Sequence, residues 1–585
     1  MGMKIKLFLF YLLINGLDQS SIDAQSINFN KDTEPIQIST ANLQLSADCS
    51  LEVAPQKFWI YFTDKNNTPY SISAPENYLS ERSIQRRKKM NIDINESDIP
   101  VNKIYVDGIK YLFGSSYSQN IEVLTESRWL NAISVKIISD EQLAYISQLP
   151  FVKKIEPVKK YIIIKDENIP ADNSIFYRLS EISENEYGGA YNQNHMIDVD
   201  FLHALGFTGQ GITIAVLDGG FYGVDIGAGF QSFWQKDQII ETKNFADDND
   251  SVFHSSTHGS NVLSIMGGDI PGDYIGSGPD AKFYLFRTEV TDSENVVEEQ
   301  YWMEAAEYAD FVGADIINSS LGYTTFDDSS QNHTYADMDG NTTIVTIAAD
   351  KAASVGILVC NSAGNEGDAE WNYIGAPADG DSVFTIGAVD ALGNYATFSS
   401  EGPTWDGRIK PNVVGQGAGT AYIEQSGIIY NGNGTSYSSP LIAGACASFW
   451  SAFPDLTNYE LMQIIQSTAS QSENPDFQLG YGIPSFSRAY LQLKEITIED
   501  EQIIHIIPNP ADDVATILIN GIETAPAEIN LYDMSGKLIY STSINLSVGK
   551  YSAVPLTGLS QLANGLYAIQ LIGDVYSESQ LMMIQ

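Results

Sequence analysis

Four side chains could form a reactive group if the fold brought them together: an alcohol, an imidazole, a carboxylate and an amide. The alcohol is Ser436, in Asn433-Gly434-Thr435-Ser436-Tyr437-Ser438-Ser439-Pro440, where a Gly-rich loop runs into an apolar, small-residue stretch from Leu441 to Phe453. Pro440 suits the first turn of a helix, where its missing N–H costs nothing. The spacing therefore predicts Ser436 at or just before a helix N-terminus. Backbone N–H groups are free there and the dipole is positive, which stabilises an alkoxide or an oxyanion. A simple helix cap explains the same motif, so the upstream residues must decide. Asp218 follows the apolar run Ile212-Thr213-Ile214-Ala215-Val216-Leu217. A parallel sheet presents functional groups at such strand ends, although an Asp capping the next turn is common. His258 opens His258-Gly259-Ser260-Asn261-Val262-Leu263-Ser264-Ile265-Met266, whose apolar residues have helical spacing and stop at Gly267-Gly268. The chain has 6 histidines, so general bases are few, and His254 is the rival. His254 and His258 have the spacing of a metal pair on a helix, but no Glu follows His254, so the zinc-protease motif fails and no metal is expected. Asn365 lies in Asn361-Ser362-Ala363-Gly364-Asn365-Glu366-Gly367, just past the apolar run ending at Cys360. A neutral amide can donate to a developing oxyanion with no proton to lose. Asn beside Gly ordinarily marks a turn.

These residues need a scaffold. From about Tyr187 to Lys494, apolar runs alternate with helical ones. Strands are predicted at Ile212 to Leu217, Phe283 to Phe286, Ile316-Ile317, Ile357 to Val359 and Val383 to Ile386, with helices from Val296 to Phe311 and from Thr342 to Val355. Continuous apolar strands alternating with helices imply an α/β fold, a buried parallel sheet with helices on both faces. Its sites sit at the carboxyl ends of the strands. The order Asp, His, Ser is one known arrangement of a catalytic triad.

At this point the sequence resembles the subtilisin-like serine peptidases. The resemblance rests on Ala215-Val216-Leu217-Asp218-Gly219-Gly220, His258-Gly259-Ser260, Ser319-Ser320-Leu321-Gly322, Ala363-Gly364-Asn365-Glu366-Gly367 and Gly434 to Pro440, five separated blocks in the right order. It implies a subtilisin-like parallel sheet and a secreted serine endopeptidase that hydrolyses protein or peptide substrates. It also implies roles. Ser436 would attack the scissile carbonyl, His258 would move the proton, Asp218 would hold the imidazole, and Asn365 with the Ser436 N–H would hold the oxyanion. Ser320, Leu321 and Gly322 would pair with the substrate backbone, and Ala363 and Gly364 would help wall the specificity pocket. Gly219 stands where the family usually has Ser or Thr, which removes a hydroxyl near the triad but no triad member. No cofactor is required. The family's calcium sites draw attention to Asp247-Asp248-Asn249-Asp250, but the spacing is not an EF-hand loop, so a solvated acidic loop is expected.

The flanks fit the same resemblance. Lys4 and Lys6 precede the apolar run Leu7 to Ile14, so residues 1–24 read as a signal peptide. Residues 25–186 hold a prosegment and linker, with a small α+β unit at about 56–160 that contains the basic run Arg86-Arg87-Lys88-Lys89. This unit resembles subtilase propeptides and would act as an inhibitor until cut. Lys165 to Glu186 turns polar and acidic, as an exposed linker does. The peptidase domain is placed at 187–495. Residues 503–585 alternate as an all-β sandwich and resemble the sorting domains of the Bacteroidetes type IX secretion pathway, which implies export through periplasm and outer membrane to the surface or medium. The usual basic tail is missing, since no Lys or Arg follows Lys550.

Composition sets outer bounds. The chain has 585 residues and a net charge of −43, which repels phosphate backbones and argues against nucleic-acid partners. Three cysteines, Cys49, Cys360 and Cys446, exclude a disulfide-stapled scaffold. No repeat is visible, and no apolar span of about 20 residues follows the N-terminus, so no transmembrane helix is expected. The rival to an enzyme is a catalytically silent surface protein that binds peptides on the same fold.

Overall fold

The computed structural model describes residues 56–112, 121–137, 139–158, 187–247, 249–291, 293–496, 503–574 and 576–585. The predicted signal peptide, the linker Lys165 to Glu186, and Asp248 in the acidic loop lie outside them.

The N-terminal unit contains β1 (Gln56–Phe62), α1 (Glu81–Lys89), α2 (Lys103–Lys110), β2 (Glu122–Ser127), β3 (Ala132–Ile137), α3 (Asp140–Ile146) and β4 (Val152–Val158). Its strands form an antiparallel sheet in the order β2-β3-β1-β4. Ile60, Ile133, Val135, Val106 and Ile109 are fully buried between sheet and helices. Ser80 caps α1 by accepting from the Ser83 N–H, satisfying one of the donors a helix start leaves free.

The central unit begins with α4 (Tyr191–Met196), α5 (Val199–Ala204), β5 (Thr213–Asp218), β6 (Ile239–Asn244), α6 (His258–Gly267), β7 (Lys282–Arg287), α7 (Val297–Val312) and β8 (Ile316–Ser319). It continues with α8 (Ile344–Ser354), β9 (Leu358–Ser362), β10 (Phe384–Val389), β11 (Val413–Gln416), β12 (Ala418–Ile423), β13 (Ile429–Asn433) and α9 (Thr435–Ala452). Among the described residues, seven strands form one sheet in the order β11-β10-β9-β8-β5-β7-β6, and every neighbouring pair is parallel. β5 comes first in the chain yet lies inside the sheet, between β7 and β8, so the winding reverses there. A crevice opens outside the carboxyl ends at such a reversal.

Side chains along a strand alternate between faces, and here both faces are covered. Ile214 and Val216 of β5 join Val262, Ile265, Leu441 and Ile442 in one core, on the side of α6 and α9. Ala215 and Leu217 join Trp302, Met303, Val345 and Ala349 in another, under α7 and α8. Each fully buried large aliphatic side chain contributes about 1.5–3 kcal/mol, so the sheet is held from two sides. β12 and β13 pair antiparallel, a hairpin the apolar pattern does not announce. It delivers the chain directly to Gly434 and α9.

Pro440 departs from the sequence expectation. It is the sixth residue of α9, inside the helix rather than in its first turn. Its missing N–H leaves the Ser436 carbonyl without a helical donor. The Ser320 hydroxyl takes that place, donating to the Ser436 carbonyl at 3.1 Å.

The C-terminal unit has β14 (Ile504–Ile507), β15 (Val514–Asn520), β16 (Pro526–Asp533), β17 (Leu538–Asn545), β18 (Tyr551–Thr557), β19 (Gly565–Ile572) and β20 (Ser577–Ile584). Two antiparallel sheets, β14-β15-β18 and β17-β16-β19-β20, share a core of Ile517, Ile519, Ile529, Ile569 and Met582.

Both flanking units dock on the central one. The N-terminal sheet lies against α7 and α8, and Trp59, Ala132 and Val158 enter their core. There Arg87 and Arg128 contact Asp310 at 2.8 and 2.6 Å, and Arg86 pairs with the same carboxylate. Asp310 is fully buried. Gly313, at φ 86°, ends α7; a Cβ there would strike the Ser83 nitrogen at 2.7 Å, so only glycine admits this approach. At the other end of the molecule, Leu518 and Ala553 touch the central core, and Lys550 donates to Asp198 at 2.5 Å and to the Met196 carbonyl at 2.8 Å.

Candidate active site

Asp218 is the last residue of β5 and is fully buried. Both of its oxygens lie 2.9 Å from Nδ1 of His258, the first residue of α6. The Gly219 N–H donates to Asp218 Oδ1 at 2.7 Å, so the backbone anchors the carboxylate although Gly219 itself brings no hydroxyl. The His258 N–H donates to Ser256 Oγ at 3.0 Å, which fixes the helix start. Burial pulls the His258 pKa down, but the Asp218 carboxylate reverses this and leaves it above the ordinary value. With Nδ1 held by the carboxylate, Nε2 is the nitrogen left to exchange a proton.

Asn365 follows β9. Its Oδ1 accepts from the Thr435 N–H at 2.8 Å and from Thr435 Oγ1 at 3.0 Å. Thr435 itself is fully buried. This double hold commits the amide oxygen and leaves Nδ2 without a partner among the described residues. Gly434 has φ 145°, and a Cβ there would sit 3.7 Å from both the Asn365 amide and the Ser436 nitrogen. Glycine thus keeps open the space between the two donors. Ser436 lies in the first turn of α9, where backbone N–H groups have no intrahelical acceptor. Its hydroxyl donates to the Ser320 carbonyl at 3.3 Å.

Asp218, His258, Ser436, Asn365, Ser320, Leu321, Gly322 and Gly364 all line one cavity of about 440 Å³. Ala363 does not line it. It is 1% exposed and packs with Ile374 and Ala378 behind Gly364, because side chains at the end of β9 alternate between wall and core. His254 bonds Ser255 at 2.5 Å and is not among the lining residues. Asp247 is taken by the Arg287 guanidinium, whose Nη1 also donates to Asn244 Oδ1 at 3.3 Å, so a protein cation already serves that acidic loop. Cys360 of β9 and Cys446 of α9 are free, buried and in mutual contact; burial and this neighbour push the Cys446 thiol pKa up.

Several residues escaped sequence reasoning. Thr435 clamps Asn365, and its adjacency to Ser436 was the one available hint. Glu289, Glu294 and Glu298 line the same cavity, on a segment with no motif of its own. Burial raises the carboxyl pKa of Glu289 and Glu298 above the ordinary range.

Comparison with known proteins adds three family matches. Residues 209–482 match the subtilase family, residues 57–172 match a peptidase S8 propeptide domain of Bacteroidota, and residues 505–585 match a secretion system C-terminal sorting domain. Among curated proteins, subtilisin E of Bacillus subtilis (strain 168) is 27% identical over 386 residues, which is 64% of this chain and 88% of that protein. Subtilisin of Bacillus pumilus is 30% identical over 279 residues, 46% of this chain and 87% of that protein. Human membrane-bound transcription factor site-1 protease is 26% identical over 304 residues, 50% of this chain and 26% of that protein. Among solved structures, MycP1 from the ESX-1 type VII secretion system aligns with a TM-score of 0.42 at 19% identity, covering 55% of this chain and 88% of that one.

Proposed function

The chain belongs to the subtilase family, as a serine endopeptidase made as a zymogen, and we propose that Asp218, His258 and Ser436 are its triad. The observation that carries this reading is the held imidazole: His258 Nδ1 sits 2.9 Å from both oxygens of a buried carboxylate, in the cavity that Ser436 also lines.

The chemistry then runs in two halves. A peptide lies extended along Ser320 to Gly322, the segment that continues β8, and pairs with it through its backbone. One of its N–H groups competes for the Ser320 carbonyl and releases the Ser436 hydroxyl. The hydroxyl turns to His258 Nε2, gives up its proton and attacks the scissile carbonyl. Asn365 Nδ2 and the Ser436 N–H receive the oxyanion. His258 returns the proton to the leaving amine, leaving an acyl group on Ser436. Water, deprotonated by the same imidazole, hydrolyses the ester and restores the enzyme. Asp218 stabilises the imidazolium in both halves. Because the His258 pKa is raised, the free base is lost as pH falls through a value above that of an ordinary imidazole, and kcat/KM falls with it.

The C-terminal sorting domain marks the protein for secretion or the cell surface. Passage through the periplasm and the type IX machinery, with release of the prosegment between about residues 160 and 187, completes the reading.

Fluorophosphonate labelling of the processed protein tests it. Label on Ser436, lost in Ser436→Ala together with all peptide cleavage, is expected. Asn365→Ala should cost about 10²–10³ in kcat, a figure taken from subtilisin itself, with KM little changed. Labelling that persists in Ser436→Ala would reject the assignment.

A further inference from the structure

Apart from His258, the ionisable side chains that line the cleft are carboxyl groups. Its lining includes Asp218, Glu289, Glu294, Glu298 and Glu366, and neither lysine nor arginine. Resting on the assignment of Ser436 as nucleophile, the geometry points to a preference, set by Glu289, for lysine or arginine immediately before the residue whose carbonyl is attacked.

An extended peptide sends successive side chains to opposite walls. An attacked residue whose side chain goes toward Ser362, Gly364 and Gly375 would send the side chain before it to the other wall, that of Asp218, His258 and Glu289, where a Cβ on Gly219 would lie 3.7 Å from the Glu289 Cβ. Glu289 is aimed rather than loose. Its Oε1 accepts from Tyr323 Oη and from Thr288 Oγ1, each at 2.8 Å. Tyr323 is 2% exposed, and its N–H is tied to the Ala376 carbonyl at 2.8 Å. The second oxygen, Oε2, has no hydrogen-bond partner among the described residues. Beneath it, Glu298 is 1% exposed and accepts from the Val290 and Asn295 N–H groups at 2.8 Å each. That pins the loop on which the acidic wall is built.

Among the described residues, no cation pairs with this carboxylate. Arg287, two residues away, spends its guanidinium on the Gly219 carbonyl, Asn244 and Asp247. A substrate ammonium or guanidinium would supply both the missing donor and the missing charge. An acidic side chain at the same place meets Asp218, Glu289 and Glu294 together, and like charges at close quarters are rejected. The net charge of −43 also favours encounter with cationic peptides. The groups facing Glu289 are Asp218 and His258 beside it, Glu294 and Glu298 of the following loop and helix, and Tyr323 of the segment that follows β8. Burial and the neighbouring carboxylates hold its proton above the ordinary carboxylate range, so the preference strengthens as pH rises.

The test uses processed enzyme and fluorogenic peptides that keep leucine at the attacked residue and place lysine, arginine, leucine or glutamate before it. A lysine-to-leucine ratio of kcat/KM of about 10, a typical reach for one added contact, is expected at pH 8, with glutamate lowest and the ratio smaller at pH 6. In Glu289→Gln the ratio should fall to within about twofold of unity, and Glu289→Asp should restore part of it. Protection of Ser436 from fluorophosphonate by the same peptides gives a second readout that needs no turnover. A wild-type ratio at or below one, or a ratio unchanged in Glu289→Gln, overturns the preference while leaving the triad intact. No labelling of Ser436 in processed enzyme overturns the triad, and the preference with it.

Discussion

The two units that flank the catalytic sheet are attached by different physics. The prosegment drives three guanidinium groups onto one buried carboxylate, Asp310, and adds Ser127 Oγ to Glu307 at 2.5 Å and Gln300 Nε2 to Ser134 Oγ at 2.9 Å. The C-terminal sandwich rests on α4 and α5 through Lys550, a contact of His195 with Ser547 at 3.2 Å, and a few apolar side chains. A buried charge is costly without its partner. The first interface therefore holds while complete and fails badly when one member goes. The second is partly solvated and degrades gradually. A unit that must first block and then leave suits the former; a carried domain suits the latter.

The contrast is broken most directly by Asp310→Ala. Stripping the shared carboxylate from buried arginines costs about 3–5 kcal/mol, or about 10²–10⁴ in affinity. The cut prosegment should no longer co-elute with the enzyme on size exclusion. Undiminished co-elution would mean that apolar packing carries the interface.

A pH series sharpens it. Burial pushes the Glu304 carboxyl up to about 7 and also raises Glu307, whereas Arg128, Arg87 and Arg86 outweigh burial at Asp310 and lower it. A carboxyl raised in the complex holds a proton that the free enzyme has lost. Retention should therefore weaken as pH climbs through about 7. The lowered Asp310 gives the opposite limit, with its contribution lost only under strong acid. Retention at pH 5.5 that exceeds retention at pH 8.5 by several-fold is expected.

Lys550→Ala should matter less. Asp198 keeps Ser485 and Ser487 at 2.5 and 2.7 Å, so the loss is about 1 kcal/mol, seen as a small fall in melting temperature with cleavage rates unchanged. Smallest is Lys103→Ala. Its pair with Glu126 leaves both side chains well exposed, at 61% and 41%, and exposed pairs contribute about 0–1 kcal/mol. Prosegment affinity measured by titration should barely move.

The sequence was most readable where chemistry and local structure coincide. Asp218 closes an apolar strand, His258 opens a helix, and Ser436 starts another, so type and position could be read together. The helices predicted from Val296 to Phe311 and from Thr342 to Val355 lie at Val297–Val312 and Ile344–Ser354, because apolar spacing marks a buried face within a residue or two. Long-range pairing was not readable. Arg86 and Arg87 stood out as a basic run, which ordinarily means solvent, yet both are buried against a carboxylate more than 200 positions away. No local pattern encodes such a partner. Glu289 was hidden for a similar reason: a single acid after a strand becomes meaningful only when the returning chain sets Tyr323 beside it. Pro440 misled because helix-start statistics average over helices, and this one tolerates an interior proline by lending its freed carbonyl to Ser320.

That last exchange has a mechanical result. One hydroxyl crosses from the segment after β8 that would grip the peptide to the helix that carries the proposed nucleophile, and the serine's own hydroxyl crosses back. Small displacements of the peptide's resting place are thereby passed on to the group that must meet it, and alignment survives thermal jostling that would defeat two independently mounted parts.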